Sequence, residues 1–460
     1  MAGVGLLLRR LNPYDSFTGW GRVYGTAAVI SSGPWLISIL GILAVGLIAM
    51  DRVERPADVA EFQVSVTYLF ASSLVLTGLL QFLFTRFVAD RLFEDRRELV
   101  VPNLMGTVLV TTLTSGGLGS LLALTLFHET SWVYRGLMLV AFVTMSNSWL
   151  VVILLTALKA YRRIVLAFSW SYLLIIVGAW MALDQGLEGL LLSFVVGQAL
   201  LLFSLFAAVT REFEVIEFFR LDFVDRALIH PDLAWTGLLY NLAVWADKAA
   251  FWFHPRTGGD VIGPLRASAV YDVPIFLAYL TIVPGMAVFL VRMETDFSEL
   301  YEVFYSMVRE GAPLGDIERT RDRMIETVRQ GIYEILKIQG ITLALAFLFA
   351  PRVLSILGIS EHYLGLFFID SVGVAAQVLF LSILNVLFYL DQRRISLLLC
   401  LGFFLLNVVL TLVTQALGPA FYGYGFTLSG ILVVLVGLSA LSRRLEHLVR
   451  ETFMLQSVTR

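Results

Sequence analysis

The chain has 460 residues, of which 58% are hydrophobic and 15% carry a charge. Soluble domains carry about 25% charged residues, so this composition excludes a water-soluble protein and predicts one embedded in lipid. The net charge of −3 argues against a nucleic-acid partner. A single cysteine, Cys400, excludes a disulfide framework, and the five histidines lack metal-ligand spacing. We therefore expect no metal and no cofactor.

Apolar runs recur along the whole chain, and a spanning helix needs about 20 mostly apolar residues. The first run is too long for the core of a cleaved signal peptide and is interpreted as a retained span. The predicted spans of the first half are 24–50, 62–88, 102–127, 133–158, 164–183 and 187–209. Those of the second half are 233–254, 273–295, 332–350, 367–390, 395–416 and 420–441. The sequence thus predicts an all-α membrane protein with twelve transmembrane helices.

The basic residues indicate the orientation of these spans. With both termini inside, 26 of the 33 Lys and Arg residues lie in inner segments and six lie in outer segments. The remaining one, Lys248, lies within a span. Because positive charge accumulates on the cytoplasmic side, we expect both termini in the cytoplasm.

Three landmarks recur in the same order in the two halves: an Arg and an Asp four residues apart, an Arg-Arg pair, and a Gly-x-x-Leu-Ser segment. They begin at Arg86, Arg162 and Gly189 in the first half and at Arg292, Arg393 and Gly425 in the second. Their order predicts two pseudo-symmetric six-helix bundles, an arrangement typical of transporters. The predicted domains are an N-terminal bundle (1–209), an amphipathic cytoplasmic connector (210–232) and a C-terminal bundle (233–460). The last contains a cytoplasmic helical hairpin at about 296–332.

Span 7 contains Asp247 and Lys248 in the segment "AVWADKAAFWF". At about 1.5 Å per residue, Asp247 would lie about 21 Å along the span, inside a hydrocarbon core of about 30 Å. A charge at this depth costs about 2.5–3.5 kcal/mol on insertion scales. Since adjacent helix positions diverge by about 100°, we expect that the two charges do not simply neutralise each other.

Other polar and aromatic residues of span 7 lie on the same helix faces as these charges. Asn241 and Trp245 share the face of Lys248, and Tyr240 shares the face of Asp247. Aromatic rings and hydrogen-bonding groups suit sugars, so the five residues form a candidate substrate path. The alternative is a structural pair that holds span 7 in register.

Two proline sites interrupt predicted spans. Gly33 and Pro34 lie in span 1, and Pro284 and Gly285 lie in span 8. Proline removes a backbone donor and usually kinks a helix, so both sites are candidate hinges for gating. Ordinary packing of kinked helices is the alternative.

The predicted hairpin has two amphipathic arms separated by "GAPLGD" at 311–316. Apolar residues follow one stripe on each arm and are candidates for docking a partner, although such a stripe also suits internal packing. They include Leu300, Phe304 and Met307 on the first arm and Met324 and Val328 on the second.

Motifs of enzymes are missing from the sequence. It contains no Gly-x-x-x-x-Gly-Lys-Ser/Thr loop and no Gly-x-Ser-x-Gly elbow, and no catalytic triad is evident. We therefore expect a protein that is not an enzyme and has no catalytic residues.

The chain resembles the PelG family of inner-membrane exopolysaccharide transporters. The resemblance rests on "MAGVGLLLRRL", "AAVISSGPWLISILGI", "NLAVWADKAAFWFHP", "IGPLRASAVYDVPIFLAYLTIVPGMAVFLVRMETDF" and "NVLFYLDQRR". It implies the fold of the multidrug and polysaccharide (MOP) exporter superfamily and a location in the bacterial inner membrane. It also implies export of the Pel exopolysaccharide for biofilm matrix, with a cytosolic glycosyltransferase similar to PelF and membrane partners similar to PelD and PelE. Two alternatives stay open: a scaffold that activates the glycosyltransferase, and a flippase or antiporter for lipid-linked or small molecules.

Overall fold

The structure is a computed structural model that describes residues 17–50, 55, 57–158, 160–213, 217–225, 230–356 and 360–454. Both termini lie outside the described residues, so their expected cytoplasmic location stays a prediction. So do residues 214–216 and 226–229 of the predicted connector.

Long helices follow one another along the chain, in agreement with the predicted all-α class. The first seven are α1 (Phe17–Met50), α2 (Ala57–Phe93), α3 (Val100–Thr125), α4 (Trp132–Ala157), α5 (Tyr161–Met181), α6 (Gly186–Thr210) and α7 (Pro231–Phe253). A short antiparallel hairpin of β1 (Gly259–Ile262) and β2 (Leu265–Ala267) follows. The remaining helices are α8 (Ala269–Leu280), α9 (Val283–Val291), α10 (Ser298–Glu310), α11 (Leu314–Ile356), α12 (Leu364–Tyr389), α13 (Arg393–Leu417), α14 (Tyr424–Glu446) and α15 (Leu448–Met454). A π-helix, Arg292–Phe297, connects α9 to α10, and short 3-10 turns lie at Arg97–Leu99, Leu183–Gln185, Asp222–Val224, Glu361–Tyr363 and Pro419–Phe421.

Each predicted span corresponds to a helix or to a bent helix pair. Among the described residues, ten helices are long and apolar enough to cross a membrane, and an eleventh span results if the pair Ala269–Leu280 and Val283–Glu310 is counted as one. The one predicted span left over is the seventh, which corresponds to α7. This helix does not meet the same criterion of length and apolar composition. Large side chains such as Leu113 and Phe203 are more than 60% exposed on these helices, as expected for faces in contact with lipid.

The helices divide into two compact units whose limits differ from the predicted domains. One unit contains Gly33–Ala269, and the other contains Val270–Arg460 together with the chain up to Ser32. Span 7 therefore belongs to the same unit as spans 2 to 6, and α1 contributes to both units. The predicted domains describe the repeat in the sequence, and they stay a prediction.

Helix packing repeats between the two halves of the chain. In the first half α3 packs against α4, and both α4 and α5 pack against α6. In the second half α11 packs against α12, and both α12 and α13 pack against α14. These helices hold equivalent places in the predicted order of spans, which supports the internal repeat.

The first sequence landmark has the same geometry in both halves. Arg86 and Asp90 form an ion pair at 3.1 Å near the end of α2, and Arg292 and Asp296 form one at 2.8 Å in the π-helix. In the second half, Arg292 also donates to both carboxylate oxygens of Glu334 in α11, at 2.6 and 2.7 Å. The repeated motif thus joins the π-helix to α11.

The described part of the connector is attached to the ends of α2 and α3. Buried Asn103 accepts a hydrogen bond from the backbone of Asp222 at 2.7 Å and donates one to its carboxylate at 3.0 Å. Phe223 is 1% exposed and lies edge-on to the rings of Phe84 and Phe87. The described part of the predicted connector is thus mostly irregular and is held by the Asn103 hydrogen bonds and by the Phe223 ring.

Two charged residues of the connector pair with each other at the surface. Arg220 donates a hydrogen bond to Glu217 at 2.9 Å, and this bond lowers the pKa of the Glu217 carboxyl. Both side chains lie in solvent, so the pair contributes little to the stability of the fold.

The segment of the predicted hairpin contains α10 and the first part of α11, and these two helices pack against each other. Gly311 ends α10 in the left-handed conformation, with φ of 70°, which glycine adopts without steric cost. The second arm of the hairpin and span 9 form one continuous helix, α11, of 43 residues. At about 1.5 Å per residue this helix is roughly 65 Å long, about twice the thickness of the hydrocarbon core.

Candidate functional site

The candidate site is built on a close contact between α2 and α7. Gly78 and Gly237 face each other, and a Cβ atom added to Gly237 would lie 2.2 Å from the Gly78 carbonyl oxygen. Any larger residue at these positions would separate the helices, because small residues allow helices in lipid to approach closely. The contact brings the polar groups of α7 against those of α2.

A polar seam follows α2 along this contact. Ser73, Thr77 and Gln81 are buried at four-residue spacing, and the Gln81 amide donates to Thr77 at 2.9 Å. Asn241 of α7 lies against the seam, with its amide 3.5 Å from Gln81 and 3.0 Å from the Gly237 carbonyl. The seam extends to α4, where the Trp149 indole donates to Ser73 at 2.9 Å.

The two charges of α7 contact each other, which corrects the expectation that they do not neutralise each other. Asp247 is fully buried and Lys248 is 6% exposed. The lysine side chain bends back toward the start of the helix, and its Nζ donates to Asp247 Oδ2 at 3.1 Å and to the Val244 carbonyl at 2.9 Å. The long lysine side chain thus overcomes the angular separation of adjacent helix positions.

Aromatic rings continue from the ion pair along α7. Lys248 Nζ lies 5.9 Å from the centre of the Trp245 ring, within the range of a cation–π interaction. The Trp245 and Trp252 rings are 6.1 Å apart, and Trp252 stacks on Tyr68 of α2 at 4.6 Å. The fifth predicted residue, Tyr240, is half-buried on the same helix.

The β-hairpin is joined to the end of this aromatic row. The Tyr68 hydroxyl donates to the Arg266 carbonyl at 3.0 Å and accepts from the Arg266 backbone at 3.3 Å. Gly258 lies so close to α7 that an added Cβ would be 1.8 Å from the Trp252 carbonyl oxygen. The hairpin therefore has a fixed position beside Trp252.

The predicted hinge in span 1 lies at a limit between the two compact units. Gly33 and Pro34 lie inside α1, whose helical hydrogen bonding continues on both sides. The chain passes from one unit to the other between Ser32 and Gly33. The Ser38 hydroxyl donates to the Pro34 carbonyl at 2.9 Å.

The predicted site in span 8 coincides with a bend of 41° between Leu280 and Val283. Pro284 lies in the first turn of α9, where the missing backbone donor has no cost. Gly285 leaves room for Gln339 of α11, whose side chain would lie 2.8 Å from an added Cβ. The bend lies at the predicted site, and a gating movement there stays a prediction.

The predicted docking residues are mostly covered by the protein itself. Phe304, Met324 and Val328 are at most 3% exposed, so they are not available to a partner in this structure. Leu300 and Met307 are half-buried, and Thr320 of α11 lies 3.3 Å from the Met307 sulfur. Phe304, Met324 and Val328 therefore contribute to internal packing, while docking by Leu300 and Met307 stays a prediction.

The sequence analysis did not select several buried polar residues. Ser73 and Thr77 could have been found from their four-residue spacing with Gln81. Asp370, in "FFIDSVG", is fully buried near the start of α12. Its carboxylate lies beside Gly423, where an added Cβ would be 2.7 Å from Oδ1. An acid within an apolar run was the available signal for this residue.

Comparison with known families identifies the class of protein. Residues 1–453 match the family model described as "PelG: Putative exopolysaccharide Exporter (EPS-E)". The chain belongs to this family. No curated protein matches the sequence.

Solved structures show which fold the PelG family member has. A MATE structure in the straight conformation has a TM-score of 0.67 at 14% identity, covering 98% of this chain and 99% of its own. A MATE structure in the bent conformation has a TM-score of 0.63 at 15% identity, covering 93% and 96%. A MOP superfamily transporter from Pyrococcus furiosus has a TM-score of 0.62 at 16% identity, covering 92% and 96%.

The family and the fold together confirm the predicted class. The chain has the all-α fold of MATE and MOP transporters, and both its family and its fold are those of transporters rather than enzymes. It is therefore a multi-pass membrane protein of an exopolysaccharide exporter family.

The Asp247–Lys248 pair leads to a prediction about stability. Lys248→Met or Asp247→Leu removes one member of the buried ion pair, and each should lower the free energy of unfolding by about 3–5 kcal/mol. The double variant should recover most of this loss, because it buries no charge. Thermal unfolding of the purified protein in one detergent measures the effects.

The control is Asp322→Asn, which breaks the ion pair with Arg321 at a residue whose side chain is 62% exposed. It should change stability by less than about 1 kcal/mol. A double variant as unstable as the two single losses combined would show that the charges do not stabilise each other.

Proposed function

We propose that this PelG family member exports the Pel exopolysaccharide, as polymer or oligosaccharide, from the cytoplasm to the periplasm for biofilm matrix. It would act in the bacterial inner membrane with both termini in the cytoplasm, together with a cytosolic glycosyltransferase similar to PelF and membrane partners similar to PelD and PelE. The family match supports exopolysaccharide as the substrate class, and the MATE-like fold supports transport.

The observation that carries the proposal is the buried polar face shared by α2 and α7. It combines hydroxyl and amide groups, represented by Thr77, Gln81 and Asn241, with an ion pair and the Trp245 ring. Buried polar groups inside a membrane are costly and characteristic of transport paths. Hydroxyl, amide and aromatic groups together also suit the hydroxyls and apolar faces of sugars.

Export is tested by reconstituting the purified chain in liposomes with the glycosyltransferase and its sugar nucleotide outside. Polymer made outside should accumulate in the lumen, protected from an added glycosidase. Asp247→Asn removes the acid of the ion pair, so we expect export to fall about tenfold or more, equivalent to about 1.4 kcal/mol in the barrier, while the glycosyltransferase stays bound. The control Asp184→Asn changes an exposed acid in the turn Leu183–Gln185, outside the hairpin, and should export normally.

The same experiment distinguishes the scaffold. A scaffold would activate polymer synthesis while all polymer stays outside, and Asp247→Asn would then act only through loss of the complex. A flippase for lipid-linked molecules would instead move the lipid-linked precursor without any polymerising enzyme. Either result would contradict polymer export.

We further propose that Gly33 and Pro34 form a hinge in α1. The limit between the compact units at Ser32 supports a hinge here, and MATE structures with straight and bent conformations are among the structural relatives. Pro284 and Gly285, beside the bend of span 8, are the second proposed hinge.

The hinge predicts slower export by Pro34→Ala. Alanine restores the backbone donor that proline lacks and stiffens the helix, so the rate of export in the liposome assay should fall about tenfold without loss of stability. Pro419→Ala, at an exposed turn between α13 and α14, is the matched control. Unchanged export by Pro34→Ala would contradict a hinge at this position.

We also propose that the hairpin of α10 and α11 docks the glycosyltransferase, with its exposed rather than its buried apolar residues. Val303 and Leu314 are 45% and 55% exposed on its two arms. Both residues lie outside the predicted spans 273–295 and 332–350, and exposed apolar side chains outside lipid are typical of interaction surfaces.

Docking by this surface predicts opposite effects of exposed and buried substitutions. Val303→Glu with Leu314→Glu should abolish co-purification of the glycosyltransferase and leave the melting temperature unchanged. Phe304→Ala should lower the stability by about 3–5 kcal/mol, because it opens a cavity, while the surface for the partner stays intact. Normal co-purification with the two glutamates would place the partner elsewhere.

A further inference from the structure

The helix α11 has an exposed stripe at the point where its sequence changes from charged to apolar. Arg329, Tyr333 and Lys337 follow one another at four-residue spacing, so they lie on one face of the helix. All three are exposed, Tyr333 by 65% and the Arg329 side chain by 74%. Two cations and an aromatic ring beside an apolar run are typical of a membrane–water boundary.

The distribution of charge along α11 indicates the depth of Lys337 in the membrane. No charged residue occurs between Lys337 and Arg352, and at 1.5 Å per residue this interval covers about 22 Å. Long basic side chains extend outward from the apolar core, so the interval fits a hydrocarbon thickness of about 30 Å. Lys337 therefore lies at one boundary of the hydrocarbon, and Arg352 lies at the other.

The ammonium group of Lys337 is available to a ligand. Its Nζ atom lies 5.8 Å from the centre of the Tyr333 ring and forms no hydrogen bond or ion pair with any residue that the structure describes. The nearby acid Glu334 is already bonded through both carboxylate oxygens to the guanidinium of the π-helix. Arg329 pairs with Glu326 at 3.5 Å, but an exposed pair of this kind is weak.

A shallow groove of small residues continues from this stripe into the apolar part of α11. Gly340 and Ala344 lie seven residues after Tyr333 and Lys337, respectively, and therefore on the same face. Both are exposed, and a Cβ atom added to Gly340 would meet nothing within 4 Å. Leu336, which is 50% exposed, borders the groove. The groove leaves room for an acyl chain directly beside the cations.

We propose that this stripe binds an anionic phospholipid. The phosphate contacts Lys337 beside the Tyr333 ring, and Arg329, one turn farther from the hydrocarbon, adds to the attraction. The charge of the stripe complements a phosphodiester, and the depth of the groove at Gly340 and Ala344 suits one acyl chain. In the orientation proposed above, this lipid belongs to the cytoplasmic leaflet. The inference does not depend on which substrate is exported.

The test is native mass spectrometry of the purified full-length chain with phosphatidylglycerol and phosphatidylcholine that carry the same acyl chains. The first phosphatidylglycerol should bind about tenfold more tightly than the first phosphatidylcholine. Lys337→Gln should remove most of this preference, and Arg329→Gln should remove a smaller part. The matched control Arg352→Gln removes a cation at the other boundary of the same helix and should preserve the preference.

The groove is tested separately by Gly340→Leu, which fills it without a change of charge. This variant should weaken the binding of phosphatidylglycerol about tenfold. The control is Gly117→Leu, at an exposed position of α3 where an added Cβ also meets nothing within 4 Å. It should bind the lipid as the wild-type protein does.

Several outcomes would overturn the proposal. Equal binding of the two lipids by the wild-type protein would do so, as would an unchanged preference in a monodisperse Lys337→Gln protein. A loss in Arg352→Gln as large as that in Lys337→Gln would indicate attraction to charge in general rather than a site. Displacement of the lipid by inorganic phosphate would identify free phosphate as the ligand, and normal binding by Gly340→Leu would exclude an acyl chain in the groove.

Discussion

The contact between Asp247 and Lys248 is the interaction on which the candidate site depends. Each charge alone would cost about 2.5–3.5 kcal/mol at the centre of a bilayer, so neither residue is tolerated there without polar surroundings. The lysine bends back to reach the aspartate and the Val244 carbonyl. The pair is therefore compatible with a helix that otherwise packs like a membrane span.

Asn241 of α7 needs a second polar helix close by, and two glycines allow that approach. Gly78 and Gly237 allow the backbones of α2 and α7 to touch. As a result Asn241 meets Gln81, and the seam of hydroxyl groups on α2 remains inside the protein rather than in lipid. Polar groups inside a membrane require such internal partners, because lipid offers none.

The second half of the chain differs from the first in that its span 8 is interrupted. The bend at Leu280 and the π-helix at Arg292–Phe297 depart from regular helical bonding. Arg292 then connects the irregular segment to α11 through a bidentate bond to Glu334. The corresponding motif of the first half, Arg86 with Asp90, lies near the end of the continuous helix α2.

The sequence by itself determined the membrane class, the twelve predicted spans, the repeated landmarks and the choice of α7 as the unusual helix. These depend on composition, hydropathy and local spacing, which are properties of neighbouring residues. Only the tertiary structure decided that Lys248 bends onto Asp247, that Phe304, Met324 and Val328 are buried, and that Asn385 meets Glu294. It also decided that span 7 packs in the unit of spans 2 to 6. The physical reason is that rotamers and contacts between distant helices depend on how closely the backbones approach, which a pattern along the chain does not encode.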